Sequence, residues 1–580
     1  MAYSSRKASA ACGDVAAAAS SVFCTTALSC PETSPQTERR EASTMSHEAY
    51  LEQQSATPVG VHEGNDGSQV AQFYKDRVVL ITGGTGFIGK VLLEKLLRSC
   101  SGLKRIYLLV RSKRGEEPQA RLKKMFDSQM FERLKKEQPG ALEKVTALAG
   151  DLAQPGLGLS ASDRATLVDN VSVVFHSGAT IKFEEPLRDA FELNVLGTRR
   201  VLDLCKQIRN RCVLVHVSTA YCNCDEQDVH EVIKQPCENA QQIFEALQSA
   251  GKEAKGNTKE CLFGHPNTYT LTKSLAESLL LEERGNIPVV IVRPSIVTAS
   301  LTEPLPGWVD SYNGCTGVIV VLALGLLPSI LVEKKHLVDT VPVDIVANTL
   351  ICVAWHTYIT RPTYMKVYHC TSGTLQQHTW ADLIETMKRA VWRHPLPGSI
   401  SDHMIFVTNS QLWYNIQVYC LRYLPASAAD LVLKLMRREP RFVKLYKNVR
   451  KRMDVVQYFT THGWLFRTNN IVGLARELSP KDKQSFNIDM RSLDWHSYWD
   501  QYSLGIRKYI FKAKDSELPN ARRHLRRLYV MRLSLQALLI ASACRLLTTR
   551  IAWNIGTTAM LLGRKTCEML LVPLGLPPKL

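Results

Sequence analysis

Leu80-Ile81-Thr82-Gly83-Gly84-Thr85-Gly86-Phe87-Ile88-Gly89-Lys90 is the stretch whose reading decides the fold. An apolar strand, Val78-Val79-Leu80-Ile81, runs into it, and a helical pattern, Val91-Leu92-Leu93-Glu94-Lys95-Leu96-Leu97, runs out of it. Strand, Gly-rich turn and helix start, in that order, are the layout of a dinucleotide site. Gly83 permits the tight turn, Gly86 lets the backbone approach a pyrophosphate, and Gly89 lets helix and strand pack closely. Thr82, Thr85, Phe87 and Ile88 share the loop and belong to the same candidate cofactor cradle. The helix N-terminus offers free N–H groups and the positive end of a dipole to phosphates. A Gly-rich turn by itself also fits an ordinary βα connection, so other motifs have to decide.

Outward from this stretch, apolar strands alternate with helical patterns, with strands expected at 77–82, 105–110, 145–149, 172–176, 212–217 and 288–293. That rhythm predicts an α/β protein, a Rossmann-type doubly wound parallel sheet covered on both faces. Its binding crevice lies at the carboxyl ends of the strands. Residues 71–370 are assigned to this region together with its substrate-binding segments, and residues 371–515 to a mainly helical C-terminal region. Residues 1–70, rich in Ala, Ser, Thr, Glu and Gln, read as a disordered tail. Residues 315–332 are mostly apolar and uncharged, which fits a buried helix and also a surface touching lipid or an acyl chain.

The last segment, 516–580, joins Arg522-Arg523-His524-Leu525-Arg526-Arg527 to an apolar run from Leu533 to Cys544. The run is shorter than the roughly 20 residues that span a bilayer. A basic flank beside an apolar helix suits an anionic membrane face. A helix docked on the main body is the alternative.

With 580 residues there is room for two or three domains, and a hydrophobic content of 45% supplies ample core. The formal charge of +18 points to anionic partners: a phosphorylated cofactor, coenzyme A or a negative membrane surface. Nucleic acid fits the charge too, but no nucleic-acid-binding motif accompanies it. Sixteen cysteines show no paired metal spacing, and Cys222 and Cys224 are too close for a C-x-x-C pair, so no metal is expected. Residues 1–30 lack the uninterrupted apolar core of a secretory signal, which favours a reduced, cytosol-facing compartment.

Most candidate chemistry falls just after the expected strands. Arg111 ends the second strand and Ser112-Lys113-Arg114 follows. An acid here would pair with ribose hydroxyls, whereas an arginine accommodates a 2′-phosphate. Arg111, with Lys113 or Arg114 as helper, therefore indicates NADP(H), unless the basic loop is simply solvated. Gly150-Asp151-Leu152 places Asp151 on the adenine side, and His176-Ser177-Gly178-Ala179-Thr180 offers small residues for a cofactor to lie against. Asn194-Val195-Leu196-Gly197-Thr198 belongs to the next helix.

Tyr269-Thr270-Leu271-Thr272-Lys273 carries the sharpest catalytic signal, because positions four apart share a helix face. A phenol titrates near about 10. An adjacent ammonium and an oxidised nicotinamide both favour phenolate and lower that value. Tyr269 then becomes a usable general acid, and Lys273 also holds the nicotinamide ribose. In Val217-Ser218-Thr219-Ala220-Tyr221 the hydroxyl of Thr219, or of Ser218 one residue earlier, binds the reacting oxygen.

These motifs together resemble the extended short-chain dehydrogenase/reductases and, more narrowly, the alcohol-forming fatty acyl-CoA reductases. The matching segments are Thr-Gly-Gly-Thr-Gly-Phe-Ile-Gly-Lys at 82–90, Val-Ser-Thr-Ala-Tyr-Cys-Asn at 217–223, Tyr-Thr-Leu-Thr-Lys at 269–273 and Val-Arg-Pro-Ser-Ile-Val at 292–297. Glu-Pro-Leu-Pro-Gly-Trp at 303–308, Pro-Val-Asp at 342–344 and Val-Tyr-His-Cys-Thr-Ser-Gly at 367–373 continue the match. Phe459-Thr460-Thr461, Phe486-Asn487 and Asp494-Trp495 carry it into the second region. Gly178, Cys315, Leu324 and Pro328 depart from the pattern. The resemblance implies reduction of a long-chain fatty acyl-CoA by NADPH to a primary alcohol through an aldehyde. It also implies association with membrane lipid, at the endoplasmic reticulum first and the peroxisome second.

Overall fold

The structure, a computed structural model, describes residues 67–112, 115–234, 243, 245, 262–402 and 405–571. The expected tail over 1–70 falls largely outside these residues, as does Lys113. Its last residues are docked: Ser68 caps a short helix, Gln69–Tyr74, and its Oγ donates to Asp482 Oδ1 at 2.5 Å. Val70 and Tyr74 of that helix are fully buried.

Seven strands form one sheet: β1 Val78–Thr82, β2 Arg105–Val110, β3 Val145–Ala149, β4 Val173–His176, β5 Val213–Val217, β6 Val289–Pro294 and β7 Lys366–Cys370. Their spatial order is β3-β2-β1-β4-β5-β6-β7, and every pairing is parallel. The first six agree with the expected strands to within a residue. β7 had no strand signal of its own, because Lys366 and His369 interrupt the apolar run. Burial of His369 is tolerated because its ring nitrogens meet Arg293 and the carbonyl of Arg467.

Every position of β1 is buried, and alternate residues feed opposite cores. Val79 and Ile81 join the core under helices α1 (Phe87–Ser99) and α4 (Val343–Thr360). Val78 and Leu80 join the core under α2 (Gly197–Gln207) and the end of α3 (Thr268–Glu283). This two-sided covering is what a parallel sheet requires. The order reverses between β1 and β4, which puts the crevice of the fold at their carboxyl ends.

The C-terminal region is mainly helical: α5 Trp380–Arg393, α6 Gln411–Val418, α7 Leu424–Leu435, α8 Phe442–Thr461 and α9 Trp495–Gly505. It is fastened to the sheet domain by close contact. Tyr498 Oη donates to Thr298 Oγ1 at 2.6 Å, and a Cβ added to Gly505 would meet the Gly307 carbonyl oxygen at 1.8 Å. Residues 315–332 are mainly core: Ile319, Val320, Ala323, Leu327 and Ile330 are buried.

The chain closes on α10, Leu518–Leu571, a single helix of 54 residues. It is long and apolar enough to cross a membrane. Its first turns dock on the body, through Leu525, the His524 bond to Ser399 O at 2.9 Å and the Arg532–Asp402 ion pair at 2.7 Å. The apolar surface extends beyond Cys544, with Leu546, Leu547, Ile551, Trp553 and Leu562 all exposed.

Candidate active site

α3 starts where Asn267 ends an extended segment, its side chain accepting from Thr270 N–H at 2.9 Å. That cap puts Tyr269 in the first turn and Lys273 one turn later. Lys273 Nζ donates to the carbonyl of Val217, the last residue of β5, at 2.8 Å. Ser218 and Thr219 follow immediately, and the Thr219 hydroxyl is near enough to the Tyr269 phenol to favour its ionised form. Ser218 Oγ is buried and has no hydrogen-bond partner among the described residues. All four catalytic candidates therefore meet at the carboxyl end of β5.

Electrostatically the site differs from expectation. Burial pushes the Tyr269 phenol up to about 12, opposed by the nearby Thr219 hydroxyl. Burial also pushes the Lys273 ammonium down to about 8, opposed by Glu277 one turn further along. In the protein alone, desolvation thus outweighs any pull of the ammonium on the phenol. Aromatic rings crowd this region. Phe183 stacks on Tyr269 at 5.8 Å between centroids and lies 5.4 Å from Phe459 of α8, which in turn meets Tyr221 at 5.2 Å. The backbone of Phe183 is held by Thr268 Oγ1, which donates to its carbonyl at 3.2 Å.

Behind Lys273 lies a buried ion pair that the motifs alone did not reveal. Arg293 of β6 donates to both oxygens of Glu277, at 2.9 and 2.5 Å. Its other donors reach the carbonyls of His230 and Val232 and the ring of His369. Cys222 donates to Glu277 at 3.4 Å. Tyr269, Lys273 and Glu277 recur every four residues on one face of α3, which is the signal that could have exposed the role of Glu277.

In the glycine loop, Gly83 and Gly89 are confined by their immediate neighbours. Gly83 has φ of +73°, and a Cβ there would lie 2.7 Å from the Gly178 nitrogen. At Gly89 a Cβ would lie 2.3 Å from the Gly83 carbonyl oxygen, so only glycine lets α1 meet the loop. Gly86 is the N-cap of α1 and supplies no side-chain cap. The first-turn N–H groups are thus left to another acceptor. The side chains of Phe87 and Ile88 pack partly buried against the core, and Phe87 stacks on Trp308 at 5.4 Å.

β1 and β4 are joined by a directed chain of hydrogen bonds. Gly178 N–H donates to Thr82 Oγ1 at 3.2 Å, and Thr82 Oγ1 lies 2.7 Å from His176 Nδ1. On the far side His176 Nε2 lies 3.0 Å from Thr198 Oγ1, which donates to Asn194 O at 2.6 Å. The donors fix His176 as the neutral Nε2–H tautomer, and burial, which lowers its pKa to about 3, keeps it neutral. Ser177 Oγ donates to Thr82 O at 2.9 Å.

Asn194 sits in a π-helical turn, Glu192–Leu196, ahead of α2. Its amide accepts from Thr180 N–H at 2.8 Å and donates to Thr272 Oγ1 at 2.9 Å. It therefore clamps the Ser177–Thr180 loop, including half-buried Ala179, to α3. Asp151 Oδ1 accepts from Ala153 N–H at 3.1 Å and so shapes its own loop. At Gly178 a Cβ would lie 2.7 Å from Leu152 Cδ1, the tip of a flexible side chain, so Leu152 would have to turn aside for an alanine there.

Arg111 is exposed at the end of β2, and its carbonyl accepts from Arg121 Nη1 at 2.5 Å. Arg121 Nη2 also reaches Thr85 Oγ1 at 3.4 Å. Arg121 therefore bridges the glycine loop and the end of β2. Sequence alone hid this, since ten residues and the start of another helix separate it from Arg111.

Residues 81–350 match the NAD-binding domain of the male sterility proteins, and residues 421–513 match their Sterile domain. Fatty acyl-CoA reductase 1 of Xenopus laevis is 38% identical over 482 residues, covering 83% of this chain and 94% of that protein. The chain belongs to the fatty acyl-CoA reductases. The reductase is also 37% identical to fatty acyl-CoA reductase 1 of Homo sapiens over 482 residues, with coverage again of 83% and 94%. Its fold is shared with the reductase domain of a non-ribosomal peptide synthetase from Mycobacterium tuberculosis. That match has a TM-score of 0.50 and 18% identity, covering 76% of this chain and 96% of that one. The family resemblance carried by the motifs is confirmed, and the reductase is an oxidoreductase that uses a nicotinamide cofactor.

Proposed function

We propose that this reductase converts long-chain fatty acyl-CoA to the primary fatty alcohol and free coenzyme A, using two NADPH and passing through a fatty aldehyde. The observation that carries the reading is the gathering of the Tyr269 phenol, the Thr219 hydroxyl and the Lys273 ammonium at the end of β5, beside an aromatic wall. The residues present fit a dinucleotide. Close backbone approach at Gly83, the uncapped start of α1 and the unpartnered Ser218 Oγ all leave polar groups for a ligand. The loop of Thr82 to Gly89, with Ser177 to Ala179, would hold its pyrophosphate and nicotinamide halves.

When bound, the nicotinamide supplies hydride to the carbonyl carbon. Thr219 and Tyr269 bind the oxygen on which negative charge grows, as an oxyanion hole does. Because burial keeps Tyr269 protonated at neutral pH, it holds a proton ready for the alkoxide. Lys273, directed by Val217, stands one turn away to balance the phenolate left behind. Phe183 and Phe459 exclude water and offer an apolar surface to the acyl chain. No acyl-enzyme is invoked. Cys222 is buried, and desolvation holds its thiol well above the ordinary range.

Preference for NADPH rests on Arg111 and Arg121 flanking the loop beside the ribose position. Arg111→Ala combined with Arg121→Ala is expected to raise KM for NADPH at least tenfold and leave KM for NADH nearly unchanged. Equal weakening of both cofactors would remove the 2′-phosphate role. The proposed lipid substrate and α10 together favour a membrane location, the endoplasmic reticulum first and the peroxisome second. The deciding assay supplies acyl-CoAs of graded length with NADPH and quantifies alcohol and aldehyde. Alcohol with two NADPH consumed per thioester is expected, and aldehyde as the sole end product would overturn the four-electron reaction.

A further inference from the structure

Helices α6 and α7 run on through a π-helical turn, Tyr419–Tyr423, and bury one face on the body through Tyr414 and Val418. The other face is apolar and uncovered. Leu412 is 68% exposed, Trp413 59%, Leu431 59% and Leu435 77%, with Tyr419 and Leu424 between them. A continuous surface of this kind is rare on a soluble monomer and marks an interaction site.

Its border is strongly basic. Between 434 and 452 the chain carries nine lysines and arginines against a single acid, Glu439. Arg437, Arg438, Arg441, Lys444 and Lys447 are exposed. Apolar residues with Trp and Tyr among them, beside a cationic border, are the composition of a surface lying in the headgroup layer of an anionic bilayer.

Location supports the same occupant. Arg422, in the turn between α6 and α7, donates to Gly325 O at 2.9 Å and reaches Ser401 Oγ at 3.4 Å. The adjacent Asp402 receives Arg532 of α10, and Ser399 O meets His524. The apolar face and the long helix thus leave the body beside the same short segment, 399–402. From the basic border, α8 runs inward to Phe459 at the aromatic wall.

We propose that the α6–α7 face is an in-plane docking surface for an anionic lipid bilayer, acting independently of α10. It seats the reductase so that α8 leads from the headgroup layer toward the catalytic tyrosine. The surface is readable without acyl-CoA, so its test is separate from that of the reaction.

The test uses the full chain with the exposed α10 residues Leu538, Ile540, Leu547 and Ile551 changed to Glu, which disables insertion of that helix. This chain is expected to float with phosphatidylcholine–phosphatidylserine vesicles and to leave them as salt rises. Adding Trp413→Glu and Leu435→Glu is expected to weaken binding about tenfold or more, with circular dichroism and thermal midpoint unchanged. In the otherwise native chain, brominated lipid is expected to quench a fluorescence component that Trp413→Phe removes. Failure of the α10-disabled, folded chain to float overturns the proposal. So does flotation that is indifferent to Trp413→Glu and Leu435→Glu. A dimer in sedimentation that these same changes convert to monomer assigns the face to a second copy and overturns it as well.

Discussion

Tyr269→Phe is expected to give a folded reductase whose fatty alcohol formation falls about 10²- to 10⁴-fold, the usual contribution of a positioned proton donor. The substitution removes one oxygen and keeps the ring, so the stack on Phe183 survives. Thr219 remains to bind the reacting oxygen, which gives the variant its residual rate. Removal of a group that acts on the growing charge lowers kcat and kcat/KM together, whereas loss of mere substrate affinity raises KM alone. The measurement is alcohol and aldehyde yield from one acyl-CoA, with the thermal midpoint recorded alongside. A folded variant of undiminished rate would show that the proton comes from elsewhere.

Lys273→Met is expected to lower the rate by about 10²-fold or more while leaving the thermal midpoint at neutral pH unchanged or higher. The side chain is nearly fully buried and its ammonium is held by a single carbonyl, that of Val217. Its pKa falls to about 8 on folding. The unfolded chain, with an ordinary lysine near about 10.4, binds more protons between those two values. This group therefore makes the fold more stable as pH rises through that window, and below it the buried charge is a cost. Methionine removes that cost. Glu277 is not stranded, because Arg293 still pairs with it.

In the wild type the rate should decline as pH rises past about 8, when the ammonium loses its proton. The residual rate of Lys273→Met should lack that alkaline limb. A variant that merely unfolds, or one that retains the limb, would separate Lys273 from the proton balance of the site.

The sheet was legible because parallel strands buried on both faces read as apolar runs, and the connection from β1 into α1 carries Gly83, Gly86 and Gly89. The helix that carries the candidate pair was legible because Tyr269 and Lys273 repeat with the helical period. What escaped was built from distant pieces. Glu277 and Arg293 lie on α3 and β6, and only folding brings a carboxylate and a guanidinium into one buried contact. Arg121 reaches Thr85 across another helix start. β7 hides because His369 looks like a surface residue until its partners are known. The raised pKa of Tyr269 in the protein alone is hidden in the sequence for a similar reason. The ammonium neighbour is visible in sequence, but the Phe183 ring stacked on the phenol, and Phe459 behind it, come from elsewhere in the chain.

Phe459 carries a wider consequence. It sits near the inner end of α8, the same rod whose outer end holds the cationic fringe. The basic fringe and the ring that packs on Phe183 are thus turns of one continuous helix of 20 residues, Phe442–Thr461. Whatever seats the outer turns of that helix also fixes the angle at which its inner turns present Phe459 to the aromatic wall.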